Sequence, residues 1–229
     1  MKQKDADIVI TTYNRPHELM KIIEILSKQV NMNFNLIIND DGGAKRIDPS
    51  VSPIITKYIF NVDDGYHRVV RFNESVSLCV SPNIIMIDDD CAPVSKNFVQ
   101  SHIDILKNYE LSKGIVRFPN GQTTEHDERF CTANLGIKLN TVKENGLYDD
   151  CYDGYYGFED LDLNFEYKKR NIKIGNGTQD TIVDHGAEIY ANGDRSNHVL
   201  GHNRKEFVRK WGYDPTEGQP EQWGGIFEY

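Results

Sequence analysis

The chain of 229 residues is short of basic charge: 26 Lys and Arg stand against 35 Asp and Glu, for a net charge of −9. A protein that binds nucleic acid generally needs a basic face to displace counterions, so no nucleic-acid partner is expected. Cysteine is scarce. Cys79, Cys91, Cys131 and Cys151 form no Cys-x-x-Cys pair, which excludes a zinc ribbon and argues for reduced thiols rather than a disulfide frame. No apolar run approaches the roughly 20 residues that span a bilayer, so no transmembrane segment is expected. The opening MKQKDADIVITTYN has no apolar signal core and no small-residue cleavage site. These features predict a cytoplasmic protein, with any membrane contact peripheral and made through a partner. Sequons at Asn73 and Asn176 are then chance occurrences. Walker and Gly-x-Gly-x-x-Gly loops are also missing, so phosphate would have to be held in another way, and a divalent cation on carboxylates is one.

What is present is an alternation of β-branched runs and helical stripes. Ile8–Thr12 reads as a buried strand. Pro16 suits the first turn of a helix, with Leu19, Ile22, Ile23 and Leu26 as its apolar face. Phe34–Asn39 is a second strand. A β–α–β unit of this kind builds a parallel sheet. Further strands are expected at Ile54–Phe60 and Asn83–Ile87. Helices are expected at Asn73–Cys79, Phe98–Tyr109, Asp160–Arg170 and Arg204–Trp211. The middle, residues 114–153, reads as short strands and loops. From Gly175 to about His202 the Gly/Asn/Asp content predicts a mobile loop.

Three of the expected strands end in polar clusters: Thr11-Thr12-Tyr13-Asn14, Asp40-Asp41 and Asp88-Asp89-Asp90. In a parallel sheet these clusters share the carboxyl edge, where open α/β sheets bind ligands. Turn-favouring Asp and Asn also collect at strand ends for no functional reason, and for Asp40-Asp41 taken alone that reading is the stronger. Asp88-Asp89-Asp90 is more specific, because carboxylate oxygens separated by one residue suit Mg²⁺ or Mn²⁺. It is no EF-hand, since Pro93 occupies the position that needs Gly. A second acidic cluster, Glu159-Asp160-Leu161-Asp162, opens a helix after the loop Asp153-Gly154-Tyr155-Tyr156-Gly157. Acids there can simply cap the helix dipole, or one of them can serve as a general base. His185, in Val183-Asp184-His185-Gly186, is a candidate ligand, although a lone His is more often an ordinary hydrogen-bonded residue.

Six segments in order resemble the GT-A nucleotide-sugar glycosyltransferases: IVITTYNRP, LIINDDGG, DGYHRVVRFNESV, NIIMIDDDCAP, GYYGFEDLDLNFEYKKRN and VDHG. They are most similar to the inverting family 2 and its chondroitin-polymerase-like and galactosyltransferase-like relatives. The resemblance runs over about residues 7 to 212. It implies an α/β, Rossmann-like fold with a mostly parallel central sheet flanked by helices and a smaller acceptor-side subregion. It implies one domain, with a nucleotide-binding half at about 1–110, an acceptor-binding half at about 111–212 and a tail at 213–229.

The resemblance also implies roles. Thr11, Tyr13 and Arg15 border the nucleotide, Asp41 bonds a uracil ring, and Gly65, Tyr66 and Asn73 pass the donor. Asp88 reaches the ribose or sugar, Asp89 lies beside it on the nucleotide, and Asp90 with His185 holds Mn²⁺ or Mg²⁺. Asp160 is the base and Glu159 its partner, while Tyr155, Tyr156 and Phe158 form the acceptor platform. The Gly/Asn-rich composition of residues 186–202 predicts that they form a lid. The donor motif departs from the family in reading Phe72-Asn73-Glu74-Ser75, so the missing Arg falls to Arg68 or Arg71, or the donor differs. The Trp-Gly-Gly of the galactosyltransferase branch is also missing before Glu159. The expected activity is metal-dependent, inverting transfer of a sugar from a nucleotide diphosphate donor, UDP favoured, to a glycan hydroxyl. The rival classes are a sugar nucleotidyltransferase, which lacks support without a Gly-rich basic loop after the first strand, a phosphohydrolase, and a non-catalytic binding domain.

Overall fold

The computed structural model describes residues 3–127, 129–186 and 200–215. Strand β1 (Ala6–Thr12) is buried at every position. Helix α1 (Pro16–Leu26) starts on Pro16 and buries Leu19, Ile22, Ile23 and Leu26. The chain returns through β2 (Phe34–Asp40) and β3 (Ile55–Phe60). It continues as α2 (Arg68–Ser77), β4 (Asn83–Asp88), β5 (Cys91–Pro93), α3 (Phe98–Leu106), β6 (Leu111–Lys113) and β7 (Ile115–Arg117). The second half is β8 (Asn134–Lys138), α4 (Leu139–Asn145), α5 (Glu159–Lys169), β9 (Ile174–Asn176), β10 (Ile182–His185) and α6 (Leu200–Trp211).

A seven-stranded sheet has the order β3-β2-β1-β4-β8-β6-β9. Its first four strands are mutually parallel, and β8 runs antiparallel to β4 and β6. Alternate side chains of the inner strands point to opposite faces. Ile8, Ile10, Ile38, Ile85 and Ile87 pack beneath α1 and α3, and Val9, Ile37 and Met86 join Phe72, Val76, Tyr152 and Tyr167 on the other face. Both faces are covered, which is why these strands read as apolar runs. A small sheet, β5-β10-β7, stands apart. The fold is α/β with a mostly parallel central sheet flanked by helices, as expected.

Register brings the polar strand ends together. Thr12 lies opposite Asp40, and Thr11 lies between Asn39 and Asp88. The reversal of β8 then places its entry beside the exit of β4, where Asp88 N–H donates to the Ala133 carbonyl at 3.3 Å. Two expectations need correction. Helix α2 begins at Arg68, five residues before Asn73, because Val69 and Phe72 give it a buried stripe from its first turn. The expected mobile loop is regular over its first part. It contains β9, a one-turn 3-10 helix at Gln179–Thr181, and β10. Of the expected lid, residues 187–199, including His198, lie outside the described residues, and 200–202 are the first turn of α6. The tail beyond 215 also lies outside them.

Candidate active site

The edge formed by β1, β2 and β4 is built on paired charges. Asp89 is 6% exposed. Its carboxylate accepts from Thr12 Oγ1 at 2.8 Å, from the Tyr13 N–H at 3.4 Å and from Arg15 Nη1 at 2.9 Å. Those oxygens tie the end of β4 to the end of β1. The same Arg15 nitrogen donates to Asp90 Oδ2 at 2.5 Å. The two carboxylates raise the pKa of the guanidinium against the effect of burial, so Arg15 stays charged. Thr11 is almost buried between the strands. The Tyr13 hydroxyl donates to Asp63 at 3.0 Å.

Asp41 sits one residue past β2 and is 5% exposed. It accepts from the His67 N–H at 3.0 Å and from Arg71 Nε at 2.9 Å. Arg71, on α2, thus stands at the carboxylate that the sequence assigned to the base. Tyr66 is half-buried, its ring 6.4 Å from that of Tyr156. Asn73 lies elsewhere. Its amide donates to the Tyr148 carbonyl at 3.0 Å and to Asp150 at 2.8 Å, and its oxygen accepts from the Tyr148 N–H. It lines a groove with Val76, Leu139 and Val142. Asn73 therefore fixes the Tyr148 segment.

Arg68 connects the two halves. Nη2 donates to Asp88 at 2.9 and 3.2 Å and to Thr132 Oγ1 at 3.3 Å, and Nη1 donates to Glu159 Oε1 at 2.8 Å. Glu159 is 7% exposed, and its other oxygen, Oε2, is buried without a hydrogen-bond partner among the described residues. Burial pushes Glu159 up to about 7; Arg68 pulls the other way, and the neighbouring Asp160 adds repulsion. Asp160 Oδ1 accepts from Thr132 Oγ1 at 2.5 Å and from the Tyr148 hydroxyl at 2.9 Å. Tyr148 also donates to Thr132. Among the described residues Asp160 Oδ2 has only long contacts, from the Thr132 N–H at 3.3 Å and Cys131 Sγ at 3.6 Å. One oxygen is anchored and the other is only weakly engaged. Thr132, Tyr148 and Cys131 carry no sequence signal, because β8 and the segment before α5 deliver them from remote positions.

The turn into α5 is strained. Gly157 and Phe158 have φ of 82° and 71°, a conformation costing about 1–2 kcal/mol for a residue with a side chain. Such strain persists where surrounding contacts over-determine the backbone. Here the buried Asn203 of α6 donates to the carbonyls of Tyr152, Tyr155 and Gly157 at 3.2, 3.2 and 2.8 Å. Phe158 is 3% exposed and packs against Phe207. Its ring belongs to the core. Tyr155 is exposed and stacks on His202 with centroids 4.0 Å apart. Asp162, on the next turn, is held by Tyr152, Lys210 and Trp211.

Asp90, Cys91 and His185 bring a carboxylate oxygen, a thiol and an imidazole nitrogen within 4.8 Å of one another. His185 Nδ1 lies 2.9 Å from the Gly186 carbonyl. That contact points the Nδ1 proton at the carbonyl and turns Nε2 toward Asp90 Oδ1, 3.9 Å away. Metal-ligating histidines are oriented in this way. The residues present therefore fit a divalent cation.

No protein-family profile matches the chain, and no curated protein matches its sequence. Solved structures do match in shape. The fold is shared with solved glycosyltransferase structures. The matching regions include the S. aureus TarS 1-349 structure in complex with UDP-GlcNAc, with TM-score 0.67, 11% identity, 85% of this chain covered and 61% of that one. A second is the mannosyltransferase PcManGT from Pyrobaculum calidifontis in complex with GDP-Man and Mn²⁺, with TM-score 0.65, 12% identity, 91% of this chain and 65% of that one. The chain thus spans about three-fifths of the TarS chain it matches. Among the described residues no helix is long and apolar enough to cross a membrane.

Proposed function

We propose that the chain is a metal-dependent inverting glycosyltransferase of the family 2 type, with a nucleotide diphosphate sugar as donor and a glycan hydroxyl as acceptor. The observation that carries this reading is the position of Asp160. Its carboxylate stands beside Asp88 at the carboxyl edge of the parallel strands, bridged by Thr132 and Arg68. Residues 1–110 would take the donor and 111–212 the acceptor. Asp41, with Arg71 behind it, offers a carboxylate oxygen to a base N–H, which favours a uracil ring. Asp88 is oriented by Arg68 toward the ribose or sugar. The TarS complex with UDP-GlcNAc and the PcManGT complex with GDP-Man and Mn²⁺ support a donor of this class.

Asp160 acts as the base. Thr132 and Tyr148 hold Oδ1, and Oδ2 takes the proton of the acceptor hydroxyl as that oxygen attacks the anomeric carbon. A single displacement inverts the configuration. Glu159 Oε2, buried and unpartnered, would bond an acceptor or sugar hydroxyl, and Tyr155 and Tyr156 flank the acceptor. A cation held by Asp90 and His185 would supply neutralisation of the leaving diphosphate's charge.

The test is thermal stabilisation by UDP, GDP, CDP and dTDP with and without Mn²⁺, since a ligand of the folded state must raise its stability. Stabilisation by one nucleotide that requires Mn²⁺ and is lost in Asp90→Ala is expected. No stabilisation by any of the four overturns the reading.

A further inference from the structure

Cys91 was read from the sequence as an ordinary thiol, and the fold gives it unusual company. Strands β5 and β10 pair antiparallel with Cys91 directly opposite His185. Residues opposed in this way present their side chains on one face. The preceding residue is locked as well, since the Gly186 N–H donates to the Asp90 carbonyl at 2.7 Å. Asp90 divides its carboxylate. Oδ2 serves Arg15, and Oδ1 faces Cys91 Sγ at 3.7 Å and His185 Nε2 at 3.9 Å. A buried cysteine is ordinarily an inert small hydrophobe. This sulfur is 0% exposed, yet it is turned toward a carboxylate and an imidazole.

We propose that Cys91 is a third, sulfur ligand of the cation site, so that the site takes borderline-soft cations such as Zn²⁺ or Co²⁺ more tightly than Mg²⁺ or Mn²⁺. This rests on the reading that Asp90 and His185 hold a cation. Thiolate selects softer metals, while carboxylate alone suits Mg²⁺ and Mn²⁺. One sulfur, one nitrogen and one oxygen make a three-ligand site with a fourth position left for a ligand oxygen. On binding, the metal–sulfur bond forms, the S–H bond breaks and the proton leaves to solvent, with no change of oxidation state. Zinc would then compete with manganese for the same carboxylate and imidazole.

The test uses the full chain stripped of metal. Titration with Co²⁺ should give a thiolate-to-cobalt charge-transfer band in the near ultraviolet, and the band should vanish in Cys91→Ser. Zn²⁺ affinity in that variant should fall about ten- to a hundredfold or more, the range known for outer-shell losses alone, and Mn²⁺ affinity should fall less. X-ray absorption of the zinc-loaded wild-type chain needs no variant. It should show one sulfur at about 2.3 Å. A cobalt complex without the band, a band that survives Cys91→Ser, or a zinc shell of nitrogen and oxygen only overturns the thiol's role. Failure to bind any of these cations overturns it as well. The donor reading is scored separately: if Mn²⁺-dependent stabilisation by nucleotide is absent while the cobalt band is present, the donor reading fails and the thiol ligand stands.

Discussion

Arg68 and Glu159 meet at 2.8 Å across 91 residues of sequence, both nearly buried, and the same guanidinium holds Asp88. Breaking a buried pair by removing one partner leaves uncompensated charge and typically costs about 3–5 kcal/mol. Arg68→Met should therefore lower stability by that order in urea unfolding. Arg68→Lys should recover only part of it, because one ammonium cannot span Asp88 and Glu159 as a planar fork does. Full recovery by Lys would show that charge alone matters there.

Asp160→Asn should reduce kcat by about 10²–10⁴-fold, the usual contribution of a positioned base, with the nucleotide and Mn²⁺ still binding. Thr132→Val should lower kcat less and leave Kd for the nucleotide near its original value, since Thr132 only anchors Oδ1. Single-turnover rates alongside calorimetry separate the two effects. Turnover at the wild-type rate in Asp160→Asn refutes the base assignment.

The raised pKa of Glu159 makes a signed prediction for stability. Its ordinary value is 4.5, and burial pushes it up to about 7. Between those values the native state binds a proton that the unfolded state has released, so this group's contribution to stability falls as pH rises from 4.5 toward 7 and is level above that. The Tm of Glu159→Gln minus that of the wild-type chain should accordingly climb between pH 5 and pH 8. A flat difference would mean that Glu159 titrates as an ordinary carboxyl.

How far the sequence could carry these readings depended on the element. In β1, α1, β2 and β4 the buried faces repeat at strand and helix periods, and those elements were legible to within a residue or two. Asp90 follows β4, and Glu159 and Asp160 open α5, positions where spacing made them candidates and the resemblance implied their roles. The second half was harder. Gly175 looks like a loop former, but an added Cβ there would lie 2.5 Å from Ile105 and 2.6 Å from Tyr109, so the glycine permits β9 to lie against the end of α3. The aromatic character of Phe158 shows in the sequence and its burial does not. Thr132 enters through the antiparallel entry of β8 and Tyr148 through the segment between α4 and α5, both tertiary facts.

Phe158 separates a core role from a sugar-stacking one. Phe158→Ala should destabilise by about 3–5 kcal/mol, as large-to-small changes in cores do, and acceptor KM should shift little in the fraction that stays folded. Gly157→Ala should cost about 1–2 kcal/mol, because its positive φ disfavours a Cβ. Chemical denaturation of both variants, with acceptor kinetics on the folded protein, decides between the roles. A raised KM with unchanged stability in Phe158→Ala would return the ring to the acceptor.

The small sheet has strands of three, four and three residues, with β10 in the middle. So few ladder bonds give it little cooperativity of its own, although Cys91, Val116 and Val183 pack into the core, and sheets of so few bonds open at lower free energy than the central ladder. The Asp90, Cys91 and His185 side chains sit at the β5–β10 seam, so an ion held there clamps the two strands together. Amide exchange at Val183, Asp184 and His185 should then slow by the factor that the occupied fraction dictates, while amides of β1 and β4 keep their rates. With a cation bound at the proposed site, the binding isotherm would in that sense also be the unzipping isotherm of the smaller sheet.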